Sequence, residues 1–170
     1  MKITNIGGAT AVLEHNNKKI LFDPWMDEGI LYGSWYHWPK LNVKITDIGK
    51  LDYIYISHIH EDHCSPGTIK HLNKDAEIIL MHREPEVPNF VKKFLETYNF
   101  NFKKIHLINP FKPTKINNDF VVEMITADPK HKYNYLVDSG MIIDWDGYKI
   151  YNANDCAPYE EGINHIKKSY

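Results

Sequence analysis

The stretch that decides the fold is YIYISHIHEDHCSPG, from Tyr53 to Gly67. It opens with a short apolar run that is typical of a strand buried on both faces. Three histidines and two acids then fall within the six residues from His58 to His63. Polar groups are costly at the end of a buried strand unless they have partners. A shared cation would satisfy several of them together, so the stretch indicates a metal site.

The spacing of the ligand types suggests how one peptide serves two ions. Residues i and i+2 of an extended chain point to the same side, so His58 and His60 leave the strand as a pair. A turn after them brings Asp62 and His63 to an adjacent position. Imidazole and carboxylate ligands suit zinc, iron or manganese, and two neighbouring ions can activate one water. Glu61 lies between ligand positions and is assigned to the surface.

The alternative interpretation of this stretch is a polar loop whose surface histidines cluster by chance. That interpretation is strong for a lone histidine. It is weak for four potential ligands within six residues that directly follow a buried strand. The metal interpretation is therefore preferred.

Two hairpins are predicted near the two ends of the chain. Alternating residues around Asn16-Asn17 predict two or three antiparallel strands with a tight turn, and Asp146-Gly147 predicts a second hairpin. Ser65 followed by Pro66 predicts the start of a short helix that reaches about Asn73.

The middle of the chain alternates predicted strands and helices. EVPNFVKKFLETYN has apolar residues spaced for one helical face. Further strands are predicted in three segments: AEIILMH, KKIHLIN and DFVVEMITA. Strands come first, then a β-α-β-α-β run, then strands again, which predicts an α/β sandwich with mixed sheets.

Composition limits the class of protein. A length of 170 residues favours a single domain, residues 1–170, and a net charge of −2 disfavours nucleic acid as a partner. Cys64 and Cys156, the only cysteines, do not make a disulfide framework, so a cytoplasmic location is expected. No apolar run approaches 18 residues, and no membrane span is expected.

The segment from Trp25 to Pro39, WMDEGILYGSWYHWP, is rich in aromatic residues and has no helical or strand period. It is predicted to be a long loop that forms a wall of a binding site. Trp35, Tyr36 and Trp38 are candidates for stacking on a sugar or a base. Core packing is the alternative role, and it would account for at least half of them.

The motif SHIHEDH resembles the His-x-His-x-Asp-His signature of the metallo-β-lactamase fold superfamily, and NIGGATAVLEHNNKKILFDPW resembles its N-terminal hairpin. This resemblance implies an α/β fold of the αββα sandwich type with mixed sheets. Three looser segments are similar to the CMP-N-acetylneuraminate hydroxylase-like branch: GSWYHWP, LDYIYISHIHEDH and GYKIYNANDC.

The resemblance implies a role for each residue of the motif. His58 and His60 would bind a first metal, and Asp62 and His63 would bind a second. The expected cofactor is a divalent metal, one or two zinc ions, with iron and manganese as alternatives.

Further ligands are implied downstream. His131 in TADPKHKYN is the best match to the next metal-binding histidine, with His106 and His82 as rivals. Asp155 matches an acid that bridges the two metals, and its alternative role is to cap a turn. Cys156 and Cys64 are interpreted as small buried residues rather than ligands.

The chain departs from the superfamily at its C-terminal end. The resemblance implies one more histidine well beyond the bridging acid, and His165, in what reads as a polar tail, is the candidate. The second half of the fold is expected to be incomplete, as in a truncated product, a compact variant or a protein completed by a partner. An unfinished sheet also favours association into a homo-oligomer.

The function implied by the resemblance is a metal-dependent hydrolase. A metal-activated hydroxide would attack an ester, lactone or phosphodiester of a small molecule, such as a sugar or nucleotide-sugar. Asp62 would orient the water or move its proton, and His131 would protonate the leaving group. The alternatives are a metal-binding protein without catalysis or completed by a partner, and a component of a nucleotide-sugar hydroxylase. A nuclease is disfavoured because no basic groove is evident.

Overall fold

The computed structural model describes residues 1–83, 85, 87–131, 137–157 and 159–169. The chain divides into two compact units. The first unit comprises residues 1–80 and 90–106, and the second comprises residues 81–89 and 107–170. No helix in the described part of the chain is long and apolar enough to cross a membrane.

The first sheet has six strands in the order of the sequence. They are β1 (Lys2–Gly7), β2 (Thr10–His15), β3 (Lys18–Phe22), β4 (Tyr53–Tyr55), β5 (Glu77–Met81) and β6 (Lys104–Ile108). β1, β2 and β3 pair antiparallel, whereas β3, β4 and β5 pair parallel. The predicted α/β class with a mixed sheet is confirmed.

The second sheet has four strands in the order β10-β9-β8-β7. They are β7 (Thr114–Lys115), β8 (Phe120–Thr126), β9 (Ser139–Trp145) and β10 (Tyr148–Asn152). Their pairings are antiparallel. The buried rings of Phe120 and Trp145 stack with their centroids 4.5 Å apart, at one end of the β8–β9 pair.

Five helices are described in the chain. They are α1 (Ile30–Gly33), α2 (Ile45–Ile48), α3 (Pro66–Ile69), α4 (Phe90–Thr97) and α5 (Glu160–Ser169). Ser65 caps α3 as predicted, because its side chain accepts a hydrogen bond from the backbone N–H of Thr68. α3 ends at Ile69, before the predicted limit of Asn73.

Both predicted hairpin turns are confirmed. Asn16 and Asn17 have φ values of 46° and 59°, and Asp146 and Gly147 have φ values of 54° and 81°. Two successive residues with positive φ match the right-handed twist of the flanking strands, which explains the Asn-Asn and Asp-Gly pairs.

The expectation of a polar C-terminal tail is wrong, because residues 160–169 form α5. Glu160 and Glu161 lie in its first turn, and Lys167 and Lys168 lie in its last. This arrangement complements the helix dipole. The helix is also tied to the second sheet, since His165 Nε2 lies 2.5 Å from Glu123 Oε1 on β8.

The parallel pairing of β3 and β4 brings the residues that follow the two strands close together. The carboxyl ends of both strands lie at the same edge of the sheet, and the backbone N–H of Asp23 donates to Tyr55 O at 2.9 Å. Asp23 follows β3, and Ser57 and His58 follow β4. Polar residues far apart in the sequence therefore meet at one edge.

Candidate metal centre

The loop after β4 folds back on itself. The backbone N–H groups of His63 and Cys64 both donate to His60 O, at 2.9 and 2.8 Å. This tight turn returns His63 toward the strand end, where His58 and His63 are each only 2% exposed. The predicted turn between the two ligand pairs is therefore present.

The four candidate ligands of the loop come together. His58 Nε2 lies 2.8 Å from His60 Nδ1, and the rings of His58 and His63 have centroids 4.2 Å apart. His63 Nε2 lies 3.4 Å from Asp62 Oδ2. Three imidazoles and one carboxylate thus form a single cluster in the first unit, with His60 on its exposed side.

Asp23 lies behind this cluster and is fully buried. Its Oδ1 accepts the backbone N–H of Ser57 at 2.7 Å, and its Oδ2 accepts the Ser57 hydroxyl at 3.0 Å. Oδ2 also accepts His63 Nδ1–H at 3.0 Å. Asp23 has no role predicted from the sequence, although it directly follows an apolar strand just as the predicted ligands do.

These contacts select the tautomers of the two buried histidines. With its hydroxyl proton directed to Asp23, Ser57 Oγ accepts Nδ1–H of His58 at 2.9 Å. His63 also carries its proton on Nδ1, which faces Asp23. In both rings Nε2 is then the nitrogen that carries a lone pair for a metal.

Burial raises the pKa of the Asp23 carboxyl, while the hydrogen bonds from His63 and Ser57 act in the opposite direction. The charged form of Asp23 is costly at this depth without these donors.

The residues present fit a bound metal. The donor set of three imidazoles and a carboxylate is one that zinc, iron and manganese accept. Metal-ligating histidines almost always donate their second ring N–H to a carboxylate or another fixed acceptor, as His63 does to Asp23. The cluster therefore has both a ligand set and the outer contacts that orient it.

The loop after β3 is fastened to α3. Thr68 Oγ1 donates to Asp27 Oδ1 at 2.5 Å, and Ser65 Oγ donates to the same oxygen. The backbone N–H of Met26 donates to Thr68 Oγ1 at 2.7 Å. These bonds fix the start of the aromatic segment beside the element that follows the histidine loop.

The predicted aromatic loop spans mostly irregular structure, and four of its rings are exposed, those of Tyr32, Trp35, Tyr36 and Trp38. Trp35 is 49% exposed, Tyr36 61% and Trp38 95%. Core packing is therefore wrong as the main role of these three, whereas Trp25, at 7%, is buried and stacks on His37.

The downstream candidates lie in the second unit. His131 is exposed, and its backbone N–H donates to Asp128 O at 2.9 Å. Asp155 is exposed and lies in a turn three residues beyond the end of β10. Their roles as ligands stay predictions.

The rival histidines have other contacts. His106 Nε2 lies 2.6 Å from Glu77 Oε2, in a packing role. The backbone N–H of His82 donates to Ile108 O at 2.7 Å. His165 lies against Glu123 and, edge-on, against the ring of Phe111.

Both cysteines are buried, as predicted for small core residues. Burial raises the pKa of the Cys64 thiol. It also raises the pKa of Cys156 to about 11, and Cys156 Sγ donates to Ile125 O at 3.5 Å. Protonated thiols are poor metal ligands, because the thiolate is the binding form.

Comparisons with known proteins find both hydrolases and hydroxylases. Cytidine monophosphate-N-acetylneuraminic acid hydroxylase of Danio rerio is 27% identical over 169 residues, which are 94% of this chain and 26% of that protein. The chain spans about a quarter to a third of the length of the curated relatives it matches.

Two solved structures share the fold at low identity. The isothiocyanate hydrolase from Delia radicum gut bacteria is 19% identical, with a TM-score of 0.68 over 89% of this chain and 61% of that one. CmlA, a diiron β-hydroxylase from Streptomyces venezuelae, is 15% identical, with a TM-score of 0.67 over 92% and 30%.

A family model described as the beta-lactamase superfamily domain matches residues 2–162, nearly the whole chain. The chain belongs to the beta-lactamase superfamily.

Proposed function

We propose that this chain is a metal-dependent hydrolase domain that acts on an ester, lactone or phosphodiester of a small molecule. The observation that carries the proposal is the cluster of His58, His60, Asp62 and His63, with buried Asp23 behind it. A bound divalent metal supplies a water that ionises near neutral pH and an electrophile for the substrate oxygen. Zinc is the proposed metal, as one or two ions, and iron is the main alternative.

The chain's own residues would divide the remaining work. Asp62, half-buried and 3.4 Å from His63 Nε2, is placed to hold the metal or to orient a water and accept its proton. His131 is proposed to protonate the leaving group, and Asp155 is proposed as a further ligand. The sequence resemblance supports these two roles.

The exposed aromatic rings are proposed to form one wall of the substrate site. Trp35, Tyr36 and Trp38 present flat apolar faces to solvent from the same segment. Such faces stack on sugars and bases, so a ring-bearing small molecule is the proposed substrate class.

A second candidate function is that of a component of a hydroxylase. It is supported by the similarity to the zebrafish nucleotide-sugar hydroxylase. This chemistry consumes dioxygen and needs electrons from outside, so a separate electron-transfer protein or domain would be required. Hydrolysis needs neither, which separates the two functions experimentally.

The first test is metal content. We expect the purified chain to carry one or two equivalents of zinc or iron, and His58→Ala with His60→Ala to lose them. His71→Ala is the matched control, because His71 is an exposed histidine of the same unit. Elemental analysis of the three proteins decides the point, and a metal-free wild type would contradict the proposal.

The second test is turnover of bis(p-nitrophenyl) phosphate, p-nitrophenyl acetate and a homoserine lactone. Hydrolysis that persists without dioxygen and disappears in the double histidine variant supports the hydrolase. Metal without turnover under these conditions favours a non-catalytic role. Product formation that requires dioxygen and a reductant favours the hydroxylase.

A further inference from the structure

The turn around α1 has an unusual backbone. Four of its residues have positive φ: Gly29 (75°), Leu31 (50°), Tyr32 (60°) and Gly33 (81°). Glycine adopts this region readily, but Leu and Tyr do so rarely because their Cβ atoms crowd the following carbonyl oxygens. Two adjacent residues in this state persist only when surrounding contacts hold them.

The turn is held at both ends. Ile30 is 5% exposed and anchors the beginning. At the end, the backbone N–H of Ser34 donates to Ile30 O, and its hydroxyl donates to Leu31 O at 2.6 Å. These contacts are local and close the turn on itself.

A further contact comes from the loop at residues 58–63. The backbone N–H of Leu31 donates to Glu61 Oε2 at 2.6 Å. The donor belongs to one of the two non-glycine residues in the left-handed region, so this carboxylate supports the unfavourable part of the turn. Glu61 therefore has a specific partner beyond the surface role that its spacing suggested.

Glu61 lies between two of the proposed ligands, His60 and Asp62. A metal held by those neighbours restrains the backbone of Glu61 from both sides. The Glu61 carboxylate then accepts the Leu31 N–H from a restrained backbone position. Without a metal the same loop has fewer restraints, so we expect the contact with Leu31 to be weaker.

The turn also sets the position of an aromatic ring. A Cβ built on Gly29 would lie 3.9 Å from Tyr36 Cε1, and one built on Gly33 would lie 3.9 Å from the Tyr36 hydroxyl oxygen. Tyr36 therefore packs beside both glycines. Tyr32, on the same turn, is fully exposed.

We propose that Glu61 is a positioning residue that links metal binding in the 58–63 loop to the conformation of the turn at residues 29–33 and its aromatic rings. The proposal rests on the proposed function, since it takes the loop to hold a metal. The consequence is that the metal-loaded chain presents an ordered aromatic wall to ring-bearing substrates, and the metal-free chain presents a looser one.

The experiment measures amide hydrogen exchange at Leu31 by NMR, with and without added ZnCl₂. The proteins are the wild type, Glu61→Ala, Glu61→Gln and the matched control Glu96→Ala, an exposed glutamate of the same unit. We expect Glu61→Ala to speed exchange about 10-fold, the effect of losing a charge-assisted hydrogen bond. Glu61→Gln keeps an acceptor and should restore part of the protection.

The response to zinc distinguishes the proposed link from a purely structural role of Glu61, because a purely structural residue would leave that response unchanged. We expect zinc to slow exchange at Leu31 and to alter tryptophan fluorescence in the wild type and in Glu96→Ala, and to do neither in Glu61→Ala. Equal exchange in wild type and Glu61→Ala would overturn the positioning role. A zinc response that survives in Glu61→Ala would overturn the link.

The two proposals fail in different ways. Zinc stoichiometry is measured on the same samples, and a wild type that binds none overturns the proposed function and with it the link to the metal. The comparison of Glu61→Ala with the wild type in the absence of zinc still decides whether Glu61 holds the turn.

Discussion

Asp23 lies behind the candidate metal ligands and contacts one of them, His63, together with Ser57. Its carboxylate accepts three hydrogen bonds, two from Ser57 and one from His63. Together with the contact of Ser57 with His58, they leave Nε2 as the unprotonated nitrogen of both buried histidines. A carboxylate at this depth is costly to bury, and the hydrogen bonds from Ser57 and His63 offset part of that cost.

We predict that Asp23→Asn weakens zinc affinity by about 10–100-fold, the usual effect of losing an outer contact to a metal-binding histidine. The amide keeps the size of the side chain but loses the charge that stabilises Nδ1–H of His63. Competitive titration with a chromogenic chelator measures the affinity.

The control for this variant is Asp119→Asn, which alters an exposed aspartate of the second unit. We expect its affinity to equal that of the wild type. An Asp23→Asn variant that folds and binds zinc as tightly as the wild type would show that Asp23 is only a packing residue.

At the residue scale, the sequence predicts contacts between residues that are close together along the chain. His58, His60, Asp62 and His63 come together as expected, because the exit of one strand and one turn decide their positions. Asp23 was not assigned because 34 residues separate it from Ser57 and only the β3–β4 pairing joins them. The available signal was an acid directly after the apolar segment KKILF, at the end of a strand.

At the scale of elements, helix α3 lies close to the loop after β3, where Gly67 of the helix faces the Asp27 carboxylate. A Cβ at Gly67 would lie 2.2 Å from Asp27 Oδ2. Glycine is therefore needed at this position for steric reasons, since it leaves room for the carboxylate that binds Ser65 and Thr68.

We predict that Gly67→Ala lowers the free energy of unfolding by about 1–3 kcal/mol, the usual cost of overpacking. Adding Asp27→Ala removes the obstructing carboxylate, so the double variant should lose less than the sum of the single losses. Urea unfolding of the four proteins measures this coupling, and strict additivity would show that the two residues do not interfere.

A second element-scale contact responds to pH. Glu77, at the start of β5, pairs with Lys103 at 2.8 Å and with His106 on β6 at 2.6 Å. The hydrogen bond from Lys103, followed by that from His106, lowers the pKa of the Glu77 carboxyl. A lowered pKa means that the ionised group stabilises the fold above its unfolded pKa, and that this stability is lost as the pH falls through the folded pKa.

We predict that Glu77→Gln costs about 0.5–1 kcal/mol at pH 7, as is usual for a partly exposed ion pair. The difference from wild type should shrink as the pH falls below about 4 and the wild-type carboxyl becomes protonated. Urea unfolding at pH 7 and pH 3 tests the sign, and a gap that widens at low pH would contradict the assignment.

Element prediction succeeded where short signals are strong. The Asn-Asn and Asp-Gly turns and the Ser65 cap were all evident in the sequence. β7 has only two residues and carries no period to detect. α5 was missed because Gly162 and its many charged residues resemble a solvated tail, whereas the contact of His165 with Glu123 is visible only in three dimensions.

For the whole molecule, family membership fixes the fold more closely than the chemistry. The relatives and fold neighbours include a hydrolase and hydroxylases, and the chain covers only part of each. The two activities differ in their need for dioxygen and electrons, so experiments that supply or withhold these distinguish them.

We predict that metal binding stabilises the whole chain. A ligand that binds only the folded state at 100 times its Kd raises the free energy of unfolding by about 2.7 kcal/mol. Thermal unfolding with zinc and with a chelator measures the gain. His58→Ala with His60→Ala should show no gain, and an equal gain in that variant would place the zinc elsewhere.

The parallel pairing of β3 with β4 has a consequence for biosynthesis. Asp23, Ser57 and the loop from His58 to His63 are all translated before β7 to β10 and α5. Asp23 and the residues of the imidazole cluster therefore emerge from the ribosome while the later strands are still being made. On the proposed function, capture of the metal does not have to wait for translation to end, and metal supply during synthesis would then influence how the remainder of the polypeptide matures.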